Sequence, residues 1–429
     1  GHGVDAARWR AVLDSAVALV AVRFVRAEPR RTSAAFVEGL LSTLERKTCW
    51  SLAERAGLTD PQPMQRLLRT AVWDADAVRD DVRDWLIEHL GHHDGVLVVD
   101  ETGFLKKGSC SVGVQRQYTG TAGRIENSQV GVFLAYTSPR GRGLIDRRIY
   151  LPEATWCARP ARREAAGVPE QIRFATKPAL ATQMIDAAIA AGVPASWVTG
   201  DEVYGADPDL RTDLERRQVG YVLAVACDRR VPVNDGRTLV RVDELATRIP
   251  NREWQPHSCG PGAKGPRDYL WAWITTASGG EYRWLLIRRN RTTAELAFYL
   301  CWSPHPVPLH TLVRVAGSRW SIEELFQTGK GQVGLDHYQV RSWTAWHRFI
   351  TLAMLALAVL TILSTSTDNL NRPDLIALTV PEIRRLLNVL ITTYPADSQH
   401  ALRWSHWRRK VQARARRSHY ARRSAPPPN

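Results

Sequence analysis

The chain has 429 residues, too many for one compact core, and this length predicts two or three domains. Apolar residues make up 44% and charged residues 24%, which excludes a wholly disordered protein. Lys and Arg number 58 against 43 Asp and Glu, giving a formal charge of +15. This balance favours a polyanionic partner over a basic one.

Residues 1–92 are predicted to be helical, since apolar positions recur at helical spacing. They are also predicted to form an N-terminal DNA-binding domain. Within it, SLAERAGLTDPQPMQRLL (51–68) is similar to a helix-turn-helix, with one helix over Leu52–Ala56, a turn at Gly57 and a second helix beginning near Thr59 or Asp60. The alternative is a helical hairpin that only packs against the rest of the protein.

Residues 93–227 are predicted to form the first part of an α/β core. Strand-like runs occur at GVLVVDETGF, SQVGVFLAY, GLIDRRIYL, SWVTGDEVYG and YVLAVA, and the later ones alternate with helical patterns at 179–191 and DPDLRTDLERRQ. Strands alternating with helices favour a sheet that is covered on both faces.

Residues 228–305 are predicted to be a β-rich insertion, because LVRVDEL, YLWAWITT, YRWLLIRRN and AFYLCW are strand-like and separated by Gly, Pro and Asn. Helical character returns in 306–368, which is predicted to close the core. The uncharged stretch 349–367 has an apolar part shorter than the ~20 residues that span a bilayer, so it predicts a buried helix and no membrane partner.

Residues 369–429 are predicted to be a helical, Arg-rich DNA-binding region. No acidic residue follows Asp397, whereas nine Lys and Arg do, and among these Arg408, Arg409, Arg416 and Arg417 are candidate DNA contacts. Such a run is often only a solvated tail. The interleaved Trp404, Trp407 and Tyr420 favour packing against a groove or a nucleic acid backbone.

The cysteines and the N-terminal segment predict a cytoplasmic protein, and the predicted DNA binding would make it nucleoid-associated. The six cysteines form no C-x-x-C pair, so no structural zinc site is expected and the thiols are predicted to be reduced. The segment GHGVDAARWR has no apolar stretch typical of a secretory signal.

Three acidic residues are candidate ligands of a metal site. Asp100 and Asp201 each follow a buried strand, and Glu323 lies in the helical segment RWSIEELFQTGK. Groups at the carboxyl ends of strands converge on one crevice of an α/β sheet, and hard carboxylate oxygens suit Mg²⁺. Each candidate has an acidic neighbour, and only one of each pair is expected to face the metal. Taken singly, each acid is more often a cap, a turn residue or a solvated group. The neighbours are Glu101, Glu202 and Glu324.

Basic residues cluster near these acids. Lys106 and Lys107 follow Asp100, and Arg319 and Lys330 stand four residues before and seven after Glu323, on the same helical face. The simpler interpretation is a set of surface ion pairs, which contribute little. In a phosphoryl-transfer site the same cations would hold DNA phosphates.

The segments VLVVDETGFLKKGSCSVGVQRQYTGTAGRIENSQVGVFLAY, WVTGDEVYG and RWSIEELFQTGKGQVGLDHYQVRSW resemble those of bacterial insertion-sequence transposases of the DDE superfamily, in the branch with a Y-x2-R-x3-E-x6-K signature. The resemblance implies an α/β, RNase H-like catalytic core with an inserted β-rich subdomain, flanked by the N-terminal helical domain and C-terminal helices. It implies a catalytic triad of Asp100, Asp201 and Glu323, with Arg319 and Lys330 in the R and K positions. The tyrosine position falls on Ala316, a departure from the signature.

The resemblance further implies two Mg²⁺ ions per site, with Mn²⁺ as a substitute, and cut-and-paste transposition of double-stranded DNA by a homodimer. Transposon ends and target DNA are the implied partners. The alternatives are a catalytically impaired DNA-binding relative and an RNase H-like nuclease without strand transfer. Relatives use tryptophans of the insertion to support a flipped base, although strand tryptophans are more often core residues. The candidates here are Trp271, Trp273 and Trp284.

Overall fold

The computed structural model describes residues 4–234, 236–262, 265–276, 282–365, 378–392 and 397–424. Across these ranges it contains a ten-stranded mixed sheet, a separate two-stranded sheet and fifteen α-helices. The predicted α/β fold class is therefore confirmed, with helices at both ends of the chain and the sheet in between.

The N-terminal part is helical, as its apolar periodicity predicts. In the first helix the buried residues Trp9, Leu13, Ala16 and Val20 recur every three or four positions and form one apolar stripe. Side chains satisfy the free N–H groups at several helix starts; Asp5, Thr48 and Asp74 are the capping residues. The helices are α1 (Ala6–Ala21), α2 (Ala27–Leu40), α3 (Cys49–Arg55), α4 (Gln62–Arg69) and α5 (Ala75–Leu90).

The segment similar to a helix-turn-helix forms the pair α3 and α4. Gly57 joins them with a φ of +72°, a left-handed conformation that glycine adopts without strain. The first helix begins at Cys49, three residues before its predicted start, because Thr48 and Ser51 form a capping box there.

Five strands form the central part of the sheet around β1. Strand β1 pairs antiparallel with β3 and parallel with β5, β3 pairs antiparallel with β4, and β5 pairs parallel with β6. This is the sheet of an RNase H-like core, as predicted. A sixth strand, β2, pairs antiparallel with β3 at the edge of the sheet. The strands are β1 (Gly95–Leu105), β2 (Gln115–Thr119), β3 (Arg124–Ser138), β4 (Gly141–Ile149), β5 (Ala195–Gly200) and β6 (Gly220–Val225).

Short helices connect these strands. Between β4 and β5 the chain forms a π-helical turn, Glu153–Cys157, that the sequence patterns did not predict. The connecting helices are α6 (Pro160–Ala165), α7 (Lys177–Ala190), α8 (Glu202–Gly205) and α9 (Pro208–Arg216).

The insertion is antiparallel, as predicted, and it continues the central sheet. Strand β12 pairs with β6, and the sheet then extends through β11 and β10 to β9. The prediction that LVRVDEL is a strand is wrong in its second half, where residues from Val242 form a helix whose apolar side packs into a separate small core. The elements are β7 (Arg230–Val233), β8 (Thr238–Arg241), α10 (Val242–Thr247), β9 (Gln255–Gly262), β10 (Gly265–Thr275), β11 (Arg283–Asn290) and β12 (Leu296–Trp302).

The C-terminal helices include the most apolar one in the protein. Among the described residues, helix α13 (Trp343–Thr365) is the one helix that is long and apolar enough to cross a membrane. Its residues are mostly buried in the protein core, which confirms the predicted buried helix. A π-helical turn, Gly329–Val333, precedes it. The helices are α11 (Leu309–Ser318), α12 (Trp320–Thr328), α13 (Trp343–Thr365), α14 (Val380–Leu390) and α15 (Ser398–Ser424).

A buried ionic network joins α5 to β4. The Arg147 guanidinium is 1% exposed and lies 2.7 Å from an Asp76 oxygen, while Arg79 pairs with Asp146. Removing one partner from such a network leaves an uncompensated charge in the interior, which costs about 3–5 kcal/mol. These contacts hold the N-terminal helices against the sheet.

Candidate active site

The side chains of Asp100 and Asp201 meet beside the central strands. The parallel pairing of β1 with β5 ends at Val99 and Gly200, so the two aspartates are the next residue of each chain segment. Carboxylate oxygens of Asp100, Glu101 and Asp201 all lie within 4.8 Å of one another. The sequence suggested that the strand ends at Asp100, but β1 continues to Leu105.

Asp201 is held by the backbone of the helix that follows it. Its carboxylate accepts a 2.9 Å hydrogen bond from the Val203 N–H and so caps α8. Glu202 is exposed, so of this pair only Asp201 joins the cluster.

Glu101 also joins the cluster, so the prediction that only one residue of the pair Asp100 and Glu101 faces the site is wrong. Strand β5 ends before it reaches the level of Glu101, and helix α8 occupies that space instead. The Tyr204 hydroxyl donates a 2.7 Å hydrogen bond to Glu101 Oε2, and the Lys177 ammonium donates to Oε1. In a strand, the Cβ atoms of neighbouring residues such as Asp100 and Glu101 point to opposite faces. The Glu101 side chain is long enough to reach Tyr204 and Lys177 beyond the end of β5, and so it still joins the cluster.

The crowded carboxylates change each other's acidity. Asp100 is 14% exposed, and burial together with the negative charges of Asp201 and Glu101 raises its pKa to about 8. Burial and the charge of Glu101 raise the pKa of Asp201 as well. An acidic cluster of this kind favours a bound cation, which would relieve the repulsion.

Arg319 connects Asp100 with Glu323. Its Nη1 lies 2.8 Å from Glu323 Oε1 and 3.9 Å from Asp100 Oδ2. The two carboxylate oxygens are therefore no farther apart than the sum of these distances, within the ~4–8 Å that we expect for ligands of a two-metal cluster. Glu324 points elsewhere and pairs with Arg142 of β4, so the structure brings Glu323 and not Glu324 toward the aspartates.

Lys330 lies against β1, at the two residues that follow Glu101. Its ammonium donates to Thr102 Oγ1 at 2.8 Å, to Thr121 Oγ1 at 3.1 Å and to the Gly103 carbonyl at 3.3 Å. The expectation that Lys330 shares a continuous helix face with Glu323 is wrong, because α12 ends at Thr328 and Lys330 is in a π-helical turn.

Two further cations follow β1. The Lys106 ammonium lies 3.6 Å from the centroid of the Tyr338 ring and donates to the Tyr338 carbonyl at 3.2 Å, whereas Lys107 is exposed. Neither lysine contacts the carboxylate cluster, from which Lys106 is separated along β1 by about 20 Å at a strand rise of ~3.3 Å per residue.

The tryptophans of the insertion differ in accessibility. Trp271 is fully buried among Tyr269 and Tyr299, so the structure uses it as a core residue and it is not available to a base. Trp273 is 37% exposed and stacks on Trp284 with ring centroids 5.5 Å apart.

The C-terminal helix packs on the helix-turn-helix-like pair. The Trp404 indole N–H donates a 2.8 Å hydrogen bond to the Leu58 carbonyl, and Trp407 packs edge-to-face against Trp50. Arg408 pairs with Glu54 of α3, so this candidate DNA contact is engaged within the protein. Three of the four candidates remain exposed on α15: Arg409, Arg416 and Arg417.

The sequence patterns missed three polar residues around the site: Lys177 and Tyr204, which bind Glu101, and Thr121, which binds Lys330. Only Tyr204 carries a signal, since it stands one helical turn after Asp201 in the segment DEVYG. Ala316, at the tyrosine position of the signature, is buried in α11.

Comparison with known proteins places this chain in a family. Residues 20–240 match the model of the DDE superfamily endonucleases, and residues 175–359 match the transposase DDE domain. Because the first match covers more than half of it, the chain belongs to the DDE superfamily of endonucleases. It is 28% identical over 201 residues to the probable transposase for insertion sequence element IS701 of Microchaete diplosiphon, covering 46% of this chain and 48% of that protein. The matched region thus spans about half the length of this curated relative.

Proposed function

We propose that this protein is an insertion-sequence transposase that cleaves double-stranded DNA at transposon ends and transfers the freed strand into target DNA. The observation that carries the proposal is the position of Arg319 between Asp100 and Glu323, next to Asp201. The three carboxylates that the family resemblance implies come from β1, from the residue that follows β5 and from α12.

The donor set fits a hard divalent cation. Carboxylate oxygens from separate elements converge, and all the groups within the cluster are oxygen ligands of the kind that Mg²⁺ and Mn²⁺ prefer. Asp100, Asp201 and Glu323 would hold two ions, while Glu101, engaged by Tyr204 and Lys177, would position the aspartates. The bound ions would activate the attacking oxygen and stabilise the charge that develops on the leaving oxygen.

Side chains around the cluster would position the DNA. Arg319 balances the charge of Glu323 and Asp100, and Lys330 presents its ammonium above Thr102. We infer that these cations hold phosphates on either side of the scissile bond, since contacts of this kind fix the register of the backbone. Cleavage and strand transfer are both in-line attacks at phosphorus, so one such site can perform both.

The rest of the chain would supply further DNA contacts. The N-terminal helices and the exposed arginines of α15 offer positive charge, so we expect DNA affinity to fall steeply with added salt. Two transposon ends must be paired in cut-and-paste transposition, and a homodimer on DNA would provide one site for each end.

The test uses Asp100→Asn, which keeps the shape of the side chain and removes its charge. We expect this variant to lose Mg²⁺-dependent cleavage of end-bearing DNA while its DNA affinity stays at the wild-type value. Glu202→Gln, an exposed neighbour of Asp201, is the matched control and should cleave normally. Nicked DNA without joined products from the wild-type protein would instead indicate a nuclease without strand transfer, and binding without any cleavage would indicate an impaired relative.

A further inference from the structure

A basic groove lies between the N-terminal helices and the end of β1. Two adjoining cavities of about 850 Å³ and 920 Å³ form it, and they share Thr48, Cys110 and the segment 338–341. Among the described residues, Asp336 is the single acidic residue that lines it, against seven cationic ones: Arg46, Lys47, Arg69, Lys106, Lys107, Arg162 and Arg341. We call this feature the basic groove.

The cations of the basic groove have no acidic partners. Within the described residues, none of the seven lies within the 4.0 Å ion-pair distance of a carboxylate. This contrasts with the buried arginines Arg79 and Arg147, which pair with Asp146 and Asp76. Burial, together with the charge of Arg384, lowers the pKa of Lys47 to about 8, and burial lowers the pKa of Lys106 to about 8 although the charge of Asp336 acts against it. The groove therefore carries a surplus of positive charge that a polyanion would neutralise.

The aromatic residues of the groove do not offer free faces for base stacking. Trp156 and Tyr338 are buried, and their rings are covered by Arg162 at 4.0 Å and Lys106 at 3.6 Å. Phe349 is buried as well, and Trp50 packs against Trp407. A ligand would meet the cations first, which favours contact with phosphates over contact with bases.

The groove begins at the end of β1, about 20 Å along the strand from the carboxylate cluster at a rise of ~3.3 Å per residue. From Arg319 at the carboxylates, positive charge continues through Lys330 above Thr102 to Lys106 at the end of β1. Arg46, Arg69, Lys107 and Arg341 are exposed along the groove itself.

We propose that the basic groove binds the phosphate backbone of DNA leaving the active site and does not read its sequence. This inference rests on the proposed function and deepens it, because it names the surface that holds DNA outside the recognised transposon ends. When a surface contacts only the phosphates, its contribution to DNA affinity decreases with added salt and is the same for every DNA sequence.

The test is the double variant Arg46→Gln/Arg341→Gln of the full chain. Its affinity for a random-sequence duplex and for an end-bearing duplex is measured by fluorescence anisotropy over a salt series. Each phosphate contact that is lost lowers the salt slope by about 1, so we expect a slope smaller by about 2 and several-fold weaker binding, by the same factor for both duplexes. Arg216→Gln/Arg385→Gln removes the same charge from exposed arginines that pair with Asp213 and Glu382, and should bind like the wild type.

Cys110 provides a direct probe of location, since it is exposed and lines both cavities. Saturating DNA should slow its alkylation by N-ethylmaleimide at least several-fold, and should leave the exposed Cys227 after β6 reactive. An unchanged salt slope, weakened binding of the end-bearing duplex alone, or full reactivity of Cys110 in the complex would each overturn the proposal. If the wild type still cleaves DNA in that case, the proposed function stands; a wild type that binds no DNA at low salt would contradict both.

Discussion

The Tyr204 hydroxyl donates a 2.7 Å hydrogen bond to the carboxylate of Glu101. Tyr204 lies in α8, the helix that begins directly after Asp201, and Glu101 directly follows Asp100 on β1. One hydrogen bond therefore joins the two segments that carry the aspartates. Because Tyr204 is fully buried and the Glu101 side chain is only 17% exposed, this contact is largely shielded from water, and it holds the two segments together.

We expect Tyr204→Phe to lower Mn²⁺ affinity about 10- to 100-fold, the effect of losing an outer contact that holds Glu101 and, through it, positions the two aspartates. The free energy of unfolding should also fall, by about 1.5–3 kcal/mol, the contribution of a hydrogen bond to a charged group. Isothermal titration calorimetry and urea denaturation measure the two effects. Tyr221→Phe is the matched control, since its hydroxyl lies 2.8 Å from Glu215 outside the cluster. It should lose stability and keep its Mn²⁺ affinity, and an equal loss of affinity in both variants would contradict the positioning role of Tyr204.

The adjacent glutamates of α12 should differ in their importance. Glu323→Gln should lower the rate of DNA cleavage roughly 100-fold, the scale of losing one electrostatic contact in an active site. Glu324→Gln should stay within about twofold of the wild type, because this side chain makes a surface ion pair with Arg142. Single-turnover cleavage assays compare them, and a larger loss in the Glu324 variant would reverse the assignment of the third carboxylate.

Stability should depend on pH through His347. Burial and the nearby Arg147 lower the pKa of this imidazole to about 3, and its Nδ1 lies 2.9 Å from the Trp343 carbonyl. Asp76 and Arg148 also face it. In the unfolded chain the imidazole has an ordinary pKa near 6.5, so it becomes protonated as the pH falls below ~6.5, while in the folded protein it stays neutral. The free energy of unfolding therefore decreases as the pH falls below ~6.5.

This linkage costs about 2 kcal/mol of unfolding free energy between pH 6.5 and pH 5, at ~1.36 kcal/mol per pH unit. Urea denaturation at the two pH values measures it, and His347→Gln should reduce the difference by that amount. His93→Gln, at a largely exposed histidine, should not. Equal pH dependence in the wild type and the His347 variant would show that the imidazole does not contribute.

The packing of α15 should depend on Trp404. Trp404→Ala removes a fully buried ring and its hydrogen bond to Leu58, a loss of about 3–5 kcal/mol. We expect the helix to detach from α3 and trypsin to cleave it faster at its arginines. Leu402→Ala, at a position that is 66% exposed, is the control and should be cleaved at the wild-type rate. Equal cleavage of both variants would mean that Trp404 does not anchor the helix.

The element types followed largely from local patterns. Apolar periodicity predicted that the N-terminal residues, where α1 to α5 form, are helical. Short apolar runs predicted β1, β3, β5 and β6, and the uncharged stretch predicted the buried α13, because burial of one face or of a whole element dictates its composition. The pattern failed at LVRVDEL, where the first three residues belong to β8 and the last four belong to α10. A segment this short contains too few residues to separate the two periods.

The sequence by itself determined which residue types were available for the site: two aspartates after apolar runs, a glutamate on a helix and basic residues near them. Only the tertiary structure decided which of these side chains meet. It brought Glu101 to the aspartates because β5 ends at Gly200 and leaves room for Tyr204, and it turned Glu323 toward Asp100 and Glu324 toward Arg142. Such choices depend on contacts between segments far apart in the chain, and spacing along the sequence carries no information about those distances.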